Sequence, residues 1–242
     1  MSFSFPRVYP ILDASISPAT GRAEFLRRLG GSLAEAGVTL LEYRNKTGVP
    51  NNRGPQEAAF ASWGGNDRSS SLRWKTGADA ELLADAAVLR AALPAGQVKL
   101  ILDDRADLVE RISFDGVHVD SGDATPAEAK RLLGPERIVG TFGGGEALVP
   151  GILQTPADYF SIGPVFLTRT KQTSRPPIGV EGVRRLRVEA GPGPVLVAVA
   201  GITLDTAAAI LAAGASVVAV SEALFHQPDP AAEFRRWMAE LG

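Results

Sequence analysis

Residues 195–223 read Val-Leu-Val-Ala-Val-Ala-Gly-Ile-Thr-Leu-Asp-Thr-Ala-Ala-Ala-Ile-Leu-Ala-Ala-Gly-Ala-Ser-Val-Val-Ala-Val-Ser-Glu-Ala. Two short apolar runs, Val195–Val199 and Val217–Val220, enclose an Ala-rich stretch over Asp205–Ala213 that Gly214 closes. Neither run alternates apolar with polar residues. A strand covered on both faces reads this way, and such strands belong to parallel sheets sheathed by helices. The unit is therefore strand, helix, parallel strand.

Outward from it, the same unit recurs to the N-terminus. Further strands are expected at Val8–Asp13, Thr39–Arg44, Val98–Asp103, Gly116–Val119, Ile138–Thr141 and Tyr159–Ile162, giving eight in all. Between them lie helical stretches at Arg22–Ala36, Ala80–Leu93, Ala127–Leu133 and Val180–Val188, with a last one at Pro230–Leu241. In the first, Phe25, Leu26, Leu29, Leu33 and Ala36 recur near the helical period. Thr125-Pro126 and Asp205 are the expected helix starts. Eight strand–helix units in 242 residues predict an α/β fold, a single-domain (β/α)8 TIM barrel over residues 1–242. The alternative, an open doubly wound sheet, would usually carry a dinucleotide fingerprint after its first strand, and Leu12-Asp-Ala-Ser-Ile-Ser-Pro has none. One segment breaks the rhythm. Residues 47–77, rich in Gly, Asn, Ser, Pro and Arg with Phe60, Trp63 and Trp74 embedded, exceed an ordinary connection and read as a flexible insertion or an active-site lid.

Composition narrows the chemistry. The chain has no cysteine, which removes disulfides, thiolate nucleophiles, iron–sulfur clusters and cysteine zinc sites. Its two histidines cannot build a three-histidine metal site. A formal charge of −2 argues against a protein that blankets nucleic-acid phosphates. No apolar run approaches the roughly 18 residues of a membrane span, and the N-terminus lacks the apolar core of a signal peptide. A soluble, cytoplasmic protein is expected, with no nucleic-acid or membrane partner. A homo-oligomer is allowed, and the sequence does not choose.

In such a barrel the chemistry sits where strands end and loops begin. Strand 2 ends Glu42-Tyr-Arg44-Asn-Lys46, and residues two apart share a face of a strand. Glu42, Arg44 and Lys46 then point one way, either as a salt bridge inside the barrel or as part of a site. Strand 3 ends Asp103-Asp104 and strand 4 runs His118-Val-Asp120-Ser-Gly-Asp123. Carboxylates on neighbouring strands can share Mg²⁺. Equally, Asp103 or Asp104 can cap the next helix, and His118 can be a packed, hydrogen-bonded barrel histidine. After strand 6, Gly163-Pro-Val-Phe-Leu-Thr168-Arg-Thr170-Lys171 combines a rigid turn, two hydroxyls and a lysine, which suits an anion or else a solvated basic loop. After strands 7 and 8, Ala200-Gly201 and Val220-Ser221 offer backbone N–H groups to a phosphate, Gly201 because it lacks a Cβ.

Together these motifs resemble thiamine-phosphate synthase: Glu-Tyr-Arg44-Asn-Lys46, Asp103-Asp104-Arg-Ala-Asp, Gly-Val-His118 followed by Asp123, Gly-Pro-Val-Phe-x-Thr-x-Thr-Lys171, and Ala-Gly-Ile-Thr, in order from strand 1 to strand 8. The resemblance implies a (β/α)8 transferase that joins hydroxymethylpyrimidine diphosphate to a thiazole phosphate and releases pyrophosphate. It implies that Arg44, Lys46 and Lys171 hold the diphosphate, and that Asp104 and Asp123 bind Mg²⁺. Thr168 and Thr170 would line the thiazole side, amides near Gly201, Val220 and Ser221 would hold its phosphate, and Glu42 and Asp103 would face substrate. The chain departs from the family at several of these places. Glu42 stands for the family's Gln, Asp103 for Asn, Asp120-Ser121 occupies the segment of a Gly-Gln, and Phe142 stands for a Ser that contacts diphosphate. Two other readings follow from these departures. One is a thiazole tautomerase, which lacks its strand-5 histidine in Thr141-Phe-Gly-Gly-Gly. The other is a non-catalytic paralogue that binds a phosphorylated ligand.

Overall fold

A computed structural model describes residues 3–46, 79–168 and 175–242. The expected insertion at 47–77, and Thr170 and Lys171 of the strand-6 motif, lie outside the described residues.

The eight strands are β1 Val8–Asp13, β2 Leu40–Arg44, β3 Lys99–Asp103, β4 Gly116–Val119, β5 Ile138–Gly144, β6 Tyr159–Ile162, β7 Leu196–Ala198 and β8 Val217–Val220. They pair in parallel, each with the next, and β8 closes onto β1. The helices are α1 Arg22–Glu35, α2 Asp79–Ala92, α3 Pro126–Leu133, α4 Gly179–Ala190, α5 Leu204–Ala212, α6 Glu222–Phe225 and α7 Pro230–Leu241. The open-sheet alternative is thereby removed. Three local expectations change. β5 runs on to Gly144, and the short helix α6 follows β8. Helix α5 starts at Leu204 rather than Asp205, because Thr203 occupies the cap, its N–H donating 3.0 Å to Thr206 Oγ1. Thr125 does cap α3: Glu128 N–H donates to its hydroxyl and Thr125 N–H to the Glu128 carboxylate, with Pro126 at the first helical position.

The strands alternate in two directions, and that sets the site. Outward residues such as Val8, Leu12, Leu41, Leu100, Leu102, Val117 and Val139 pack against helix residues including Leu26, Leu33, Leu89 and Leu186 in one core. Inward residues Tyr9, Leu40, Ile101, Ile138, Tyr159, Val197 and Val217 form a second core inside the barrel, with Phe3 and Phe5 packed on it. Strand β2 shows how the outer layer orients the inner one. Tyr43 points outward, and its hydroxyl donates to Asp85 of α2, which also receives Arg22 of α1 through Nε and a terminal nitrogen at 2.7–2.9 Å. Because successive side chains alternate, anchoring Tyr43 outside commits Glu42 and Arg44 to the inside.

Tyr159 needs a second provision. It pairs in register with Gly140 of β5, and a Cβ on Gly140 would fall 1.9 Å from the tyrosine ring. The ring lies across the space that only glycine leaves open. No helix among the described residues is long and apolar enough to cross a membrane.

Candidate active site

The floor of the site is a hydrogen-bonded chain inside the barrel. Tyr9 O–H donates to Glu42 Oε2 at 3.0 Å, the Tyr9 and Tyr159 hydroxyls are 3.1 Å apart, and Tyr159 lies 3.0 Å from His118 Nδ1. His118 Nε2 then faces Asp120 Oδ1 at 3.7 Å. Glu42, His118 and both tyrosines are buried. Burial pushes the Glu42 carboxyl up to about 7, with Asp103 adding to the rise while His118, Tyr9 and Arg44 counter it. Burial works against a charged His118, but the carboxylates of Asp120, Glu42 and Asp103 outweigh it and raise the imidazole to about 9. His118 is thus packed and hydrogen-bonded, as one sequence reading had it. Glu42 bonds Tyr9 rather than Arg44.

Above the floor, the ends of β1, β2 and β3 carry an ionic cluster. Arg44 donates to Asp13 and lies 3.5 Å from Asp103 through Nε. Lys46 sits 2.7 Å from Asp103 and donates to Asp104. Burial disfavours charge on Lys46, yet Asp103 and Asp104 hold its ammonium pKa above the usual value. Burial likewise opposes ionisation of Asp103, yet Lys46, Arg44 and His118 keep its carboxyl below the usual range. The capping reading of Asp103 and Asp104 is set aside. The turn after β3 is led by Arg105 with no side-chain cap, and both carboxylates turn to Lys46. Asp104 also holds φ +67°, a left-handed conformation uncommon outside glycine.

The opposite rim comes from β5 to β8. Phe142 of β5 carries the guanidinium of Arg175 over its ring, 4.3 Å from the centroid. Ala200 and Gly201 after β7 are both left-handed, at φ +77° and +67°. A Cβ on Gly201 would meet the Leu167 carbonyl oxygen at 2.4 Å and Phe166 at 2.7 Å. The space beside Gly201 is therefore taken by the chain's own β6–α4 connection, which corrects the reason given for that glycine. It makes room for the neighbouring backbone before any ligand arrives.

Between the rims lies a cavity of about 520 Å³. Among its walls are Glu42, Arg44, Asp103, Thr168, Gly201 and Ser221, with Val220 beside them. Lys46 and Asp104 join through Asp103. Asp123 stands a step back, its carboxylate accepting from Asp120 N–H at 2.9 Å. Five contributors escaped the sequence reading. Asp13 was legible by the same strand-end rule that found Asp103. Tyr9 and Tyr159 carried no signal beyond apolar strand character. Ser121, whose buried hydroxyl has no hydrogen-bond partner among the described residues, lines the cavity. Arg175 reaches it from outside any motif.

Comparison with known proteins bears on this geometry. A family model described as thiamine monophosphate synthase matches residues 8–224. A thiamine-phosphate synthase of Koribacter versatilis is 34% identical over 224 residues, covering 92% of this chain and 90% of that protein. One from Anaeromyxobacter dehalogenans is 38% identical over 186 residues, covering 76% of this chain and 82% of its own. Among solved structures, a thiamine phosphate pyrophosphorylase from Pyrococcus furiosus superposes with a TM-score of 0.62 at 24% identity, covering 98% of this chain and 97% of that one.

Proposed function

Because the chain belongs to the thiamine monophosphate synthase family, we propose that its barrel mouth joins hydroxymethylpyrimidine diphosphate to a thiazole phosphate, giving thiamine phosphate and pyrophosphate. It is a transferase of thiamine biosynthesis, and its partners are these small phosphorylated substrates. The cytoplasm is the proposed setting.

The observation that carries the residue-level reading is the convergence of Arg44, Lys46, Asp103 and Asp104 at the ends of β2 and β3. A diphosphate arriving there meets two cations that are desolvated and already positioned by carboxylates. Lys46 and Arg44 then exchange part of their carboxylate contact for phosphate oxygens. Lys171 belongs to the same proposed group. If the carbon–oxygen bond to diphosphate breaks first, a resonance-stabilised pyrimidine cation forms, and the task of the protein is to stabilise charge on the leaving group and position the thiazole. No protein nucleophile is required, in keeping with a chain without cysteine. Thr168 and Thr170 are assigned to the thiazole side, and amides near Gly201, Val220 and Ser221 to its phosphate.

Mg²⁺ is assigned to Asp104 and Asp123. That ion takes oxygen ligands and is usually held by one or two carboxylates, completed by substrate phosphates and water. Among the described residues no three His, Asp or Glu side chains form a ready cage. A carboxylate pair completed by diphosphate fits such a supply. When bound, Mg²⁺ would offset the negative charge growing on the departing diphosphate.

The test is incubation with both precursors and Mg²⁺, followed by mass detection of thiamine phosphate. Product is expected only when all three are present. Binding of either precursor without product would support the non-catalytic reading instead.

A further inference from the structure

Arg44 is held by two carboxylates that differ in kind. Asp13 ends β1 and Arg44 ends β2, and the two pair in register on the last rung shared by those strands. Residues two apart share a face of a strand, so Asp13 follows Ile11 inward just as Arg44 follows Glu42. Arg44 Nη1 donates to Asp13 Oδ2. Its Nε lies 3.5 Å from Asp103 Oδ2, beyond good hydrogen-bond length.

The Asp13 carboxylate is itself fixed. Its other oxygen, Oδ1, accepts from Ser15 N–H at 3.0 Å and from Ser15 Oγ at 2.6 Å. That ties it to the 3-10 turn Ala14–Ile16, by which the chain leaves β1. Each oxygen thus has its own task. Asp13 is buried and stands behind the cavity, whose walls among the described residues include Arg44 and Asp103 but not Asp13. Asp103 faces the cavity and also takes Lys46 at 2.7 Å. Burial disfavours charge on Arg44, yet Asp103 and Asp13 hold its pKa above the ordinary value. A carboxylate in the cavity must yield when an anion arrives. One tethered behind the cavity fixes the cation without occupying the space in front of it.

We propose that Asp13 is the positioning residue of Arg44: when diphosphate enters, Arg44 keeps Asp13 behind it, gives up Asp103, and turns its remaining N–H donors to phosphate oxygens. The role rests on the cavity being the diphosphate site. A guanidinium carries its five N–H donors in one rigid fork, so tethering one terminal nitrogen sets the direction of the others.

Titration calorimetry with inorganic pyrophosphate in the presence of Mg²⁺ tests this on the full chain. Arg44→Gln is expected to weaken pyrophosphate about tenfold or more, the scale of losing a hydrogen bond to a charged group. Asp13→Asn is the informative change. A carboxylate offers two acceptor oxygens and a side-chain amide only one, so asparagine can accept from Ser15 N–H or from Arg44 but not from both. It is expected to weaken pyrophosphate about fivefold, the scale of one lost hydrogen bond. The same change in the Arg44→Gln background is expected to do nothing further, because a positioning residue acts only through its partner. In turnover, Asp13→Asn should raise KM for the pyrimidine diphosphate and leave KM for thiazole phosphate at the wild-type value, a split that general loosening of the barrel would not produce. Circular dichroism melts confirm that each variant is folded. Should Asp13→Asn not fold, Asp13→Glu, which keeps both oxygens but displaces them by one methylene, is expected to give the same pattern. Wild-type or tighter pyrophosphate binding by the folded Asp13 variant overturns the proposal while leaving the diphosphate site standing. Additive losses in the double variant overturn it as well, since Asp13 would then act apart from Arg44. Failure of the wild-type protein to bind pyrophosphate with Mg²⁺ overturns the site and the proposal together.

Discussion

The phenolic oxygens of Tyr9 and Tyr159 stand 3.1 Å apart inside the barrel, and through them the carboxyl of Glu42 on β2 is linked to the imidazole of His118 on β4. Two titratable groups that strand order separates share one buried hydrogen-bonded chain at the floor of the cavity.

Stability should therefore depend on pH with a defined sign. Glu42 is raised from 4.5 to about 7, and His118 from 6.5 to about 9. Both folded values exceed the ordinary ones, so the folded chain holds more protons than the unfolded chain across that window. Their contributions are present at low pH and are lost as pH rises, Glu42's by about pH 7 and His118's by about pH 9. Asp103 shifts the other way and loses its contribution on acidification below 3.8. Urea unfolding should show stability falling from about pH 5 to pH 9. Glu42→Gln should flatten the part between pH 4.5 and 7, on the order of 3 kcal/mol in all, and lower the His118 midpoint read by NMR. An unaltered pH profile in that variant would refute the coupling.

Gly140→Ala should be among the most damaging single-methyl additions. Its Cβ would sit 1.9 Å from the buried Tyr159 ring, which would have to shift. Overpacking of this kind costs about 1–3 kcal/mol. Denaturant midpoints should show that loss together with a changed His118 imidazole signal, since Tyr159 carries its hydrogen bond. A stable variant with an unmoved imidazole would mean that the ring is not held as described.

Asp104 is best tested with asparagine. At φ +67°, alanine would add backbone strain to the loss of charge, whereas asparagine tolerates the left-handed region. Asp104→Asn should keep the melting temperature within a few degrees and reduce coupling by about a hundredfold or more, with a higher Mg²⁺ requirement. Wild-type turnover and Mg²⁺ dependence would return Asp104 to a structural role as an ion-pair partner of Lys46.

The rim after β7 makes opposite predictions for adjacent residues. Ala200→Gly removes the strain of a left-handed alanine and should be neutral or stabilising by up to about 1 kcal/mol. Gly201→Val should cost at least about 2 kcal/mol, because its side chain meets the Leu167 carbonyl and Phe166. Thermal melts read both, and thiazole phosphate KM measured on folded Gly201→Val reports whether the rim also holds that ligand. Equal melting temperatures for the two variants would contradict the packing described.

The order of the barrel was legible in the chain itself. Apolar runs such as Val217–Val220 mark strands covered on both faces, because burial on two sides leaves no place for alternation. The strand-end rule likewise pointed to Glu42, Arg44, Lys46, Asp103 and Asp104, since the two-residue period is a local property of the backbone. What the tertiary structure decided is which of these side chains meet. Asp13 ends β1, Lys46 follows β2 and Asp103 ends β3, and only the side-by-side pairing of these strands brings their charges to one rim. Tyr9 and Tyr159 look like core residues in any window of sequence, and become a polar chain only because the strands curl until their hydroxyls touch. The room for Tyr159 beside Gly140, and the seat of Arg175 on Phe142, depend on cross-strand register and loop return. Those are set by the packing of the whole barrel, so no local pattern records them.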